Sequence, residues 1–137
     1  MKQLFFGIKG LVINHEGKFL AVHKTKQKSP LLEIPGGRME FGETIEETLV
    51  REMLEETNLR VTPKQVIATW NYIKKSGDFQ VAGVIYLVET SDLSGLKLSE
   101  EHDSYCWLSF DELEHLVPHF ETALKTVKVN EKIYKSL

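Results

Sequence analysis

Strands interleaved with capped helices predict a mixed α and β fold, α/β or α+β, for this chain. Four stretches rich in apolar and β-branched residues, 4–13, 18–23, 65–74 and 79–89, are separated by turn signals. Two capping boxes, Thr44 with Glu47 and Ser109 with Glu112, mark helix starts. At 137 residues and 42% hydrophobic content, the chain suits one domain, 1–137, with a real core.

The elements follow in order. Residues 4–13 read as a strand, Asn14-His15-Glu16-Gly17 as a turn, and 18–23 as the returning strand. The next loop carries Lys24, Lys26 and Lys28 before Ser29-Pro30. It reads first as a solvated loop. Contact with a polyphosphate tail is the second reading, because the loop leads straight into Pro35-Gly36-Gly37.

A helix opens at Thr44, with Leu49, Val50, Met53 and Leu54 as its apolar stripe and Asn58 as a left-handed stop. Residues 65–74 and 79–89 flank Ser76-Gly77-Asp78, a hairpin connection. Residues 105–108 form another strand. The box at Ser109 opens a short helix that Pro118 ends, and 120–134 is a final amphipathic helix with Phe120, Leu124 and Val127 on one side.

Composition excludes several classes of function. Seventeen basic and 20 acidic residues leave a net charge of −3, which gives no broad positive field for polymeric nucleic acid. The single cysteine, Cys106, has no partner for an internal disulfide and reads as a small core residue. His15, His23, His102, His115 and His119 show no zinc-type spacing with it. The first apolar run, Leu4 to Ile8, stops at Lys9, too short for a signal core or a membrane span. A cytoplasmic protein, monomer or homodimer, is expected.

The chemistry concentrates on the first helix. Glu52, Glu55 and Glu56 stand at i, i+3 and i+4, on one helical face. Two carboxylates about 6 Å apart repel by roughly 2–3 kcal/mol at an effective dielectric near 20, against under about 1 kcal/mol in water. On a solvated face the cluster means little. Lining a cleft, it calls for a cation, and hard divalent ions take oxygen ligands alongside substrate phosphates.

The full pattern is Gly37, five residues, Glu43, seven residues, then Arg51-Glu52-Met53-x-Glu55-Glu56-x-Asn58-Leu59. It resembles the Nudix box of the MutT-like hydrolases over twenty-three consecutive residues, 37–59. One fixed position departs: Asn58 stands where the family has glycine, and Asn is the next most tolerant residue for a left-handed cap. The resemblance implies a Nudix-type α/β/α sandwich with a mixed β-sheet. It also implies magnesium- or manganese-dependent hydrolysis of a nucleoside diphosphate linked to another moiety.

Carried over residue by residue, the resemblance makes Glu52, Glu55 and Glu56, with the Gly36 carbonyl, the cation ligands. Glu52 is also a candidate general base. Gly37, Glu43 and Arg51 become structural supports of the box. An acidic residue from a later loop is common in the family. Glu101, six residues before Trp107, is the candidate; a solvated acidic loop is the competing reading, and Glu100 and Asp103 are close enough to take the part instead. Arg38, Lys24 and Trp70 are candidate substrate contacts; Trp70 and Tyr72 share one face of their strand, where core packing is the competing reading.

The expected substrate is a nucleoside triphosphate, cleaved to monophosphate and pyrophosphate. The NADH-type and coenzyme A-type signatures are absent, and Pro63 lies too close to the box for the ADP-ribose type. Sugar nucleotides and dinucleotides remain alternatives, as does a nucleotide-binding regulator that has lost turnover. A plain interaction domain with a solvated acidic helix is the remaining rival.

Overall fold

A computed structural model describes residues 1–129 of the chain. Its strands are β1 (Gln3–Val12), β2 (Phe19–Lys24), β3 (Gly36–Arg38), β4 (Thr62–Ile73), β5 (Phe79–Glu89) and β6 (His102–Leu108), and its helices are α1 (Ile45–Thr57) and α2 (Pro118–Val129). The two-residue alternation of β1 sorts the molecule into layers. Ile8 and Val12 face α1, where Leu49, Met53, Leu59 and Val88 join them. Leu11 faces the other way, into a core with Phe19, Ile85, Phe120, Leu124 and Val127 from β2, β5 and α2.

One helix therefore covers each side of a sheet, which is the expected α/β/α sandwich. The main sheet runs β3-β1-β5-β4, and β2 pairs with β6 in a separate antiparallel ladder. Mixed character comes from β1, antiparallel to β3 but parallel to β5 over the full register from Gln3↔Phe79 to Val12↔Val88.

The predicted boundaries of α1 hold at both ends. Thr44 Oγ1 accepts the Glu47 N–H at 3.1 Å, and Glu47 Oε1 accepts the Thr44 N–H at 2.9 Å. Such a cap contributes about 1 kcal/mol. Asn58 adopts φ 60° and its N–H closes on the Leu54 carbonyl at 2.9 Å. The helix lies close on β1 at Gly10, where a Cβ would stand 2.8 Å from Met53 Sδ.

Three expectations need correction. The box at Ser109 opens no helix of normal length: Glu112 Oε1 accepts the Ser109 N–H at 2.9 Å, but the chain makes one 3-10 turn, Leu113–His115. Pro118 does not end a helix there; it opens α2, where its missing N–H costs nothing and its fixed φ suits the first turn. The strand expected at 105–108 begins at His102.

The sequence reading also missed β3. Gly36 and Gly37 read as a loop, yet Gly36–Arg38 pairs with Gly7, Ile8 and Lys9 of β1. Pro63 falls within β4, where it is tolerated because β4 is an edge strand with a register shift beside it. The rest of the helix expected to residue 134 lies outside the described residues. No helix among the described residues is long and apolar enough to cross a membrane.

Candidate active site

Two glycines let β3 pass between β1 and the acidic face of α1. Gly36 has φ 139°, a conformation that L side chains rarely adopt, and a Cβ there would lie 2.2 Å from the Ile8 carbonyl oxygen. At Gly37 a Cβ would come within 2.3 Å of the Glu52 carboxylate. The helix carboxylates are thus laid against bare backbone.

Arg51 organises the first part of that face. Its Nε reaches Glu43 Oε2 at 2.6 Å and its Nη2 reaches Glu43 Oε1 at 2.9 Å, a bidentate pair. Nη1 donates to Glu52 Oε1 at 2.7 Å and to Glu55 Oε2 at 3.4 Å, while Nη2 also donates to the Arg38 carbonyl at 3.3 Å. Glu43 further accepts the Glu40 N–H and the Thr48 hydroxyl, each at 2.9 Å. The hydrogen bonds from Arg51, then that from Glu40, hold the Glu43 carboxyl down at about 2.

Glu56 meets the opposite environment. Its side chain is 10% exposed, against 59% for Glu55. Its Oε1 accepts only a long hydrogen bond from the Gly36 N–H, 3.3 Å. Burial pushes its carboxyl up to about 7; Lys9 and the Gly36 N–H oppose that shift, and the charges of Glu52 and Glu101 add to it.

Three groups around the site were not singled out in the sequence. Lys9 Nζ donates to the Gly36 carbonyl at 3.3 Å and stands 5.8 Å and 5.5 Å from the Trp70 and Phe120 ring centroids. His102 Nδ1 lies 3.9 Å from Glu56 Oε1. His119 packs against Trp70 (5.7 Å, 29° between planes), Tyr72 (5.0 Å) and Phe120 (4.3 Å), and burial lowers its pKa to about 4, so it is neutral at pH 7. Lys9 had a readable signal, a charge on the inward half of a strand's alternation. The two histidines had none, because only tertiary structure brings them to the box.

The remaining candidates lie around this centre. Trp70 is 8% exposed and its Nε1 donates to the Val84 carbonyl at 3.3 Å. Arg38 is exposed over Phe5, 4.3 Å from the ring centroid. Lys24 ends β2, exposed, and its charge is felt by both His102 and His119. Glu101 is exposed as well; its backbone carbonyl takes the Thr25 N–H at 2.9 Å, and its charge reaches Glu56. Cys106 is half-buried, and burial pushes its thiol up, which is the wrong direction for a nucleophile.

Among the described residues, no three His, Cys, Asp or Glu donors converge closely enough to hold a metal ion as the side chains stand. Arg51 draws Glu52 and Glu55 to itself, and Glu56 turns to the Gly36 N–H. The donor chemistry nevertheless fits a hard divalent cation: three carboxylates, a backbone carbonyl, and a buried carboxylate short of positive partners. Closing on an ion would require Glu52 and Glu55 to leave Arg51, and Lys9 Nζ to leave the Gly36 carbonyl, by side-chain rotation.

Fold and site together define a class: an α/β/α sandwich in which a double-glycine strand underlies an acidic, arginine-braced helix. The NUDIX domain family matches residues 6–130, and the chain belongs to that family. A MutT-like protein of Streptomyces ambofaciens is 29% identical over 108 residues, covering 77% of this chain and 64% of its own length. Phosphatase NudJ of Escherichia coli (strain K12) is 37% identical over 62 residues, 45% of this chain and 40% of its own. The chain spans about half the length of the curated relatives it matches. A crystal structure of a MutT protein from Methanosarcina mazei Go1 shares the fold, with a TM-score of 0.83 at 23% identity over 96% of this chain and 97% of that one.

Proposed function

We propose that this domain hydrolyses a pyrophosphate bond in a nucleotide with a divalent cation, magnesium or manganese. A nucleoside triphosphate yielding monophosphate and pyrophosphate is the substrate proposed. The observation that carries this reading is the adjacency of buried Glu56, the Gly36 backbone and Lys9 to the ring set Trp70, Tyr72 and His119. Acid for a cation, a lysine for phosphate and aromatic faces for a base are the three parts a nucleotide needs. The name of the MutT-like relative and the name phosphatase carried by NudJ agree with it.

Glu52, Glu55, Glu56 and the Gly36 carbonyl would hold the cation, which when bound supplies charge neutralisation at phosphorus and a more acidic water. Arg51 and Glu43 fix the rotation of α1 against β3. Lys9 pairs with a phosphate oxygen, and Arg38 and Lys24 take outer phosphate charge. Trp70, Tyr72 and neutral His119 offer ring faces to a base. In the step itself a water oxygen bonds to phosphorus, the bridging P–O bond breaks, and the water's proton passes to a carboxylate. Glu52 and Glu101 are the two groups proposed for that proton.

Purified protein tested with magnesium or manganese against nucleoside triphosphates, oxidised nucleotides, sugar nucleotides and dinucleotides would decide the matter. The expected products are a monophosphate and pyrophosphate. Turnover confined to sugar nucleotides would overturn the substrate class. Nucleotides that raise the Tm without any phosphate release would make this a binding module.

A further inference from the structure

We infer that His102 is a positioning residue for Glu56: a small side-chain shift brings its Nδ1–H, unpartnered as the two groups stand, onto that carboxylate and fixes how it faces the cation site. The inference rests on the cation role proposed for Glu56 above. Three observations carry it.

The first is an unpartnered atom. His102 Nδ1 is one of two buried side-chain polar atoms without a hydrogen-bond partner among the described residues, the other being Ser99 Oγ. The His102 side chain is only 7% exposed. Buried polar groups are nearly always satisfied, so an orphan of this kind needs an explanation.

The second is direction. Nδ1 stands 3.9 Å from Glu56 Oε1, just beyond hydrogen-bonding range, and both side chains are enclosed. Glu56 has acceptor capacity left, because a carboxylate offers about four lone-pair sites and Oε1 here takes one long bond from Gly36. The charges of Lys9, Glu33, Glu101 and Lys24 bear on His102, and the Glu56 carboxylate is the acid 3.9 Å from its Nδ1.

The third is a backbone tether. The Ser99 N–H donates to the Glu56 carbonyl at 3.1 Å, and the His102 N–H donates to the Ser99 carbonyl at 3.2 Å. Two residues before Ser99, the Lys97 N–H donates to the carbonyl of Thr57, the residue after Glu56, at 3.0 Å. The start of β6 is therefore bolted to the last turn of α1, and the imidazole is held at a set place beside the carboxylate. A histidine that merely filled core space would not need to be registered to Glu56 through its own main chain.

Groups that hydrogen-bond to metal-binding carboxylates set their orientation, and their loss typically costs 10–100-fold in metal affinity. The test is the Mn2+ affinity of the metal-free protein, read from free Mn2+ by electron paramagnetic resonance, with no substrate present. His102→Phe keeps a flat ring but no donor, and should bind Mn2+ about 10–100-fold more weakly. His102→Asn places an N–H near the position of Nδ1 and should restore affinity to within a few-fold of the parent. In a Glu56→Gln background, His102→Phe should cost nothing further.

Equal Mn2+ binding by His102→Phe and the parent would overturn the inference. So would a His102→Asn variant that binds no better than His102→Phe, or losses that simply add in the double variant. Melting curves recorded alongside separate a packing defect, which lowers the Tm of both single variants, from a positioning effect, which separates them in affinity. If the parent itself binds no Mn2+, the proposed cation site fails instead, and the inference falls with it.

Discussion

The turn that leads into α1 and the last turn of that helix hold the same side chain in opposite conditions. Around Arg51, Glu43 has donors on both oxygens and a carboxyl held at about 2. In the last turn of α1, Glu56 is enclosed, has a single 3.3 Å donor, and is pushed up to about 7. One group strengthens the fold by being charged; the other weakens it by being charged. The contrast separates scaffold from site without reference to any ligand. A folded chain keeps an under-partnered buried acid where something else is to complete it.

The hardest test of that contrast is Glu56→Gln. Turnover should fall by roughly three orders of magnitude or more if the carboxylate holds the cation, while the metal-free Tm stays at or above that of the parent. A variant that unfolds would show that Glu56 is part of the scaffold after all. Next in size, Lys9→Met should raise KM for a nucleotide about tenfold, the scale of a lost charged hydrogen bond, with kcat less affected. An unchanged KM would remove Lys9 from the phosphate.

Arg51→Ala should act mainly on stability, lowering Tm on the order of 5 °C because Glu43, Glu52 and Glu55 lose a shared partner. Acid titration sharpens the same point. The folded value of Glu43 lies below its usual 4.5, so its contribution is complete above about 4.5 and is lost as pH falls towards 2. For Glu56 the folded value lies above 4.5, so the stabilisation relative to the charged form is complete below 4.5 and is lost as pH rises through 7. Metal-free parent protein should therefore lose Tm between pH 5 and 8, and Glu56→Gln should not; parallel curves would contradict the assignment. The smallest effect belongs to Asn58→Gly: the left-handed cap is served by either residue, so Tm should move by only about 2–3 °C despite loss of the Asn58 Nδ2 bond to the Gly95 carbonyl.

Much of this was legible beforehand, because it is local. The helix cap at Thr44, the stop at Asn58 and the spacing of Glu43 with Arg51 are short-range facts, and the side chains meet where the spacing puts them. What escaped is what the sheet creates. A Gly-Gly-Arg segment has little strand propensity of its own, and becomes β3 only because β1 supplies its partners. His102 and His119 come from segments far beyond the box and gain meaning only beside Glu56 and Trp70. Pro118 was read with the right rule at the wrong end, since the same ring that breaks a helix interior also begins one well.

The parallel ladder between β1 and β5 joins residues 76 positions apart, from Gln3↔Phe79 to Val12↔Val88. No hairpin can make that contact early, and long-range parallel pairing of this kind slows folding. During synthesis β1 must wait for β5, made 76 residues later, before its central pairing can form. A chain truncated before β5 would still hold every residue of the box, yet would lack the central neighbour against which β1 is laid.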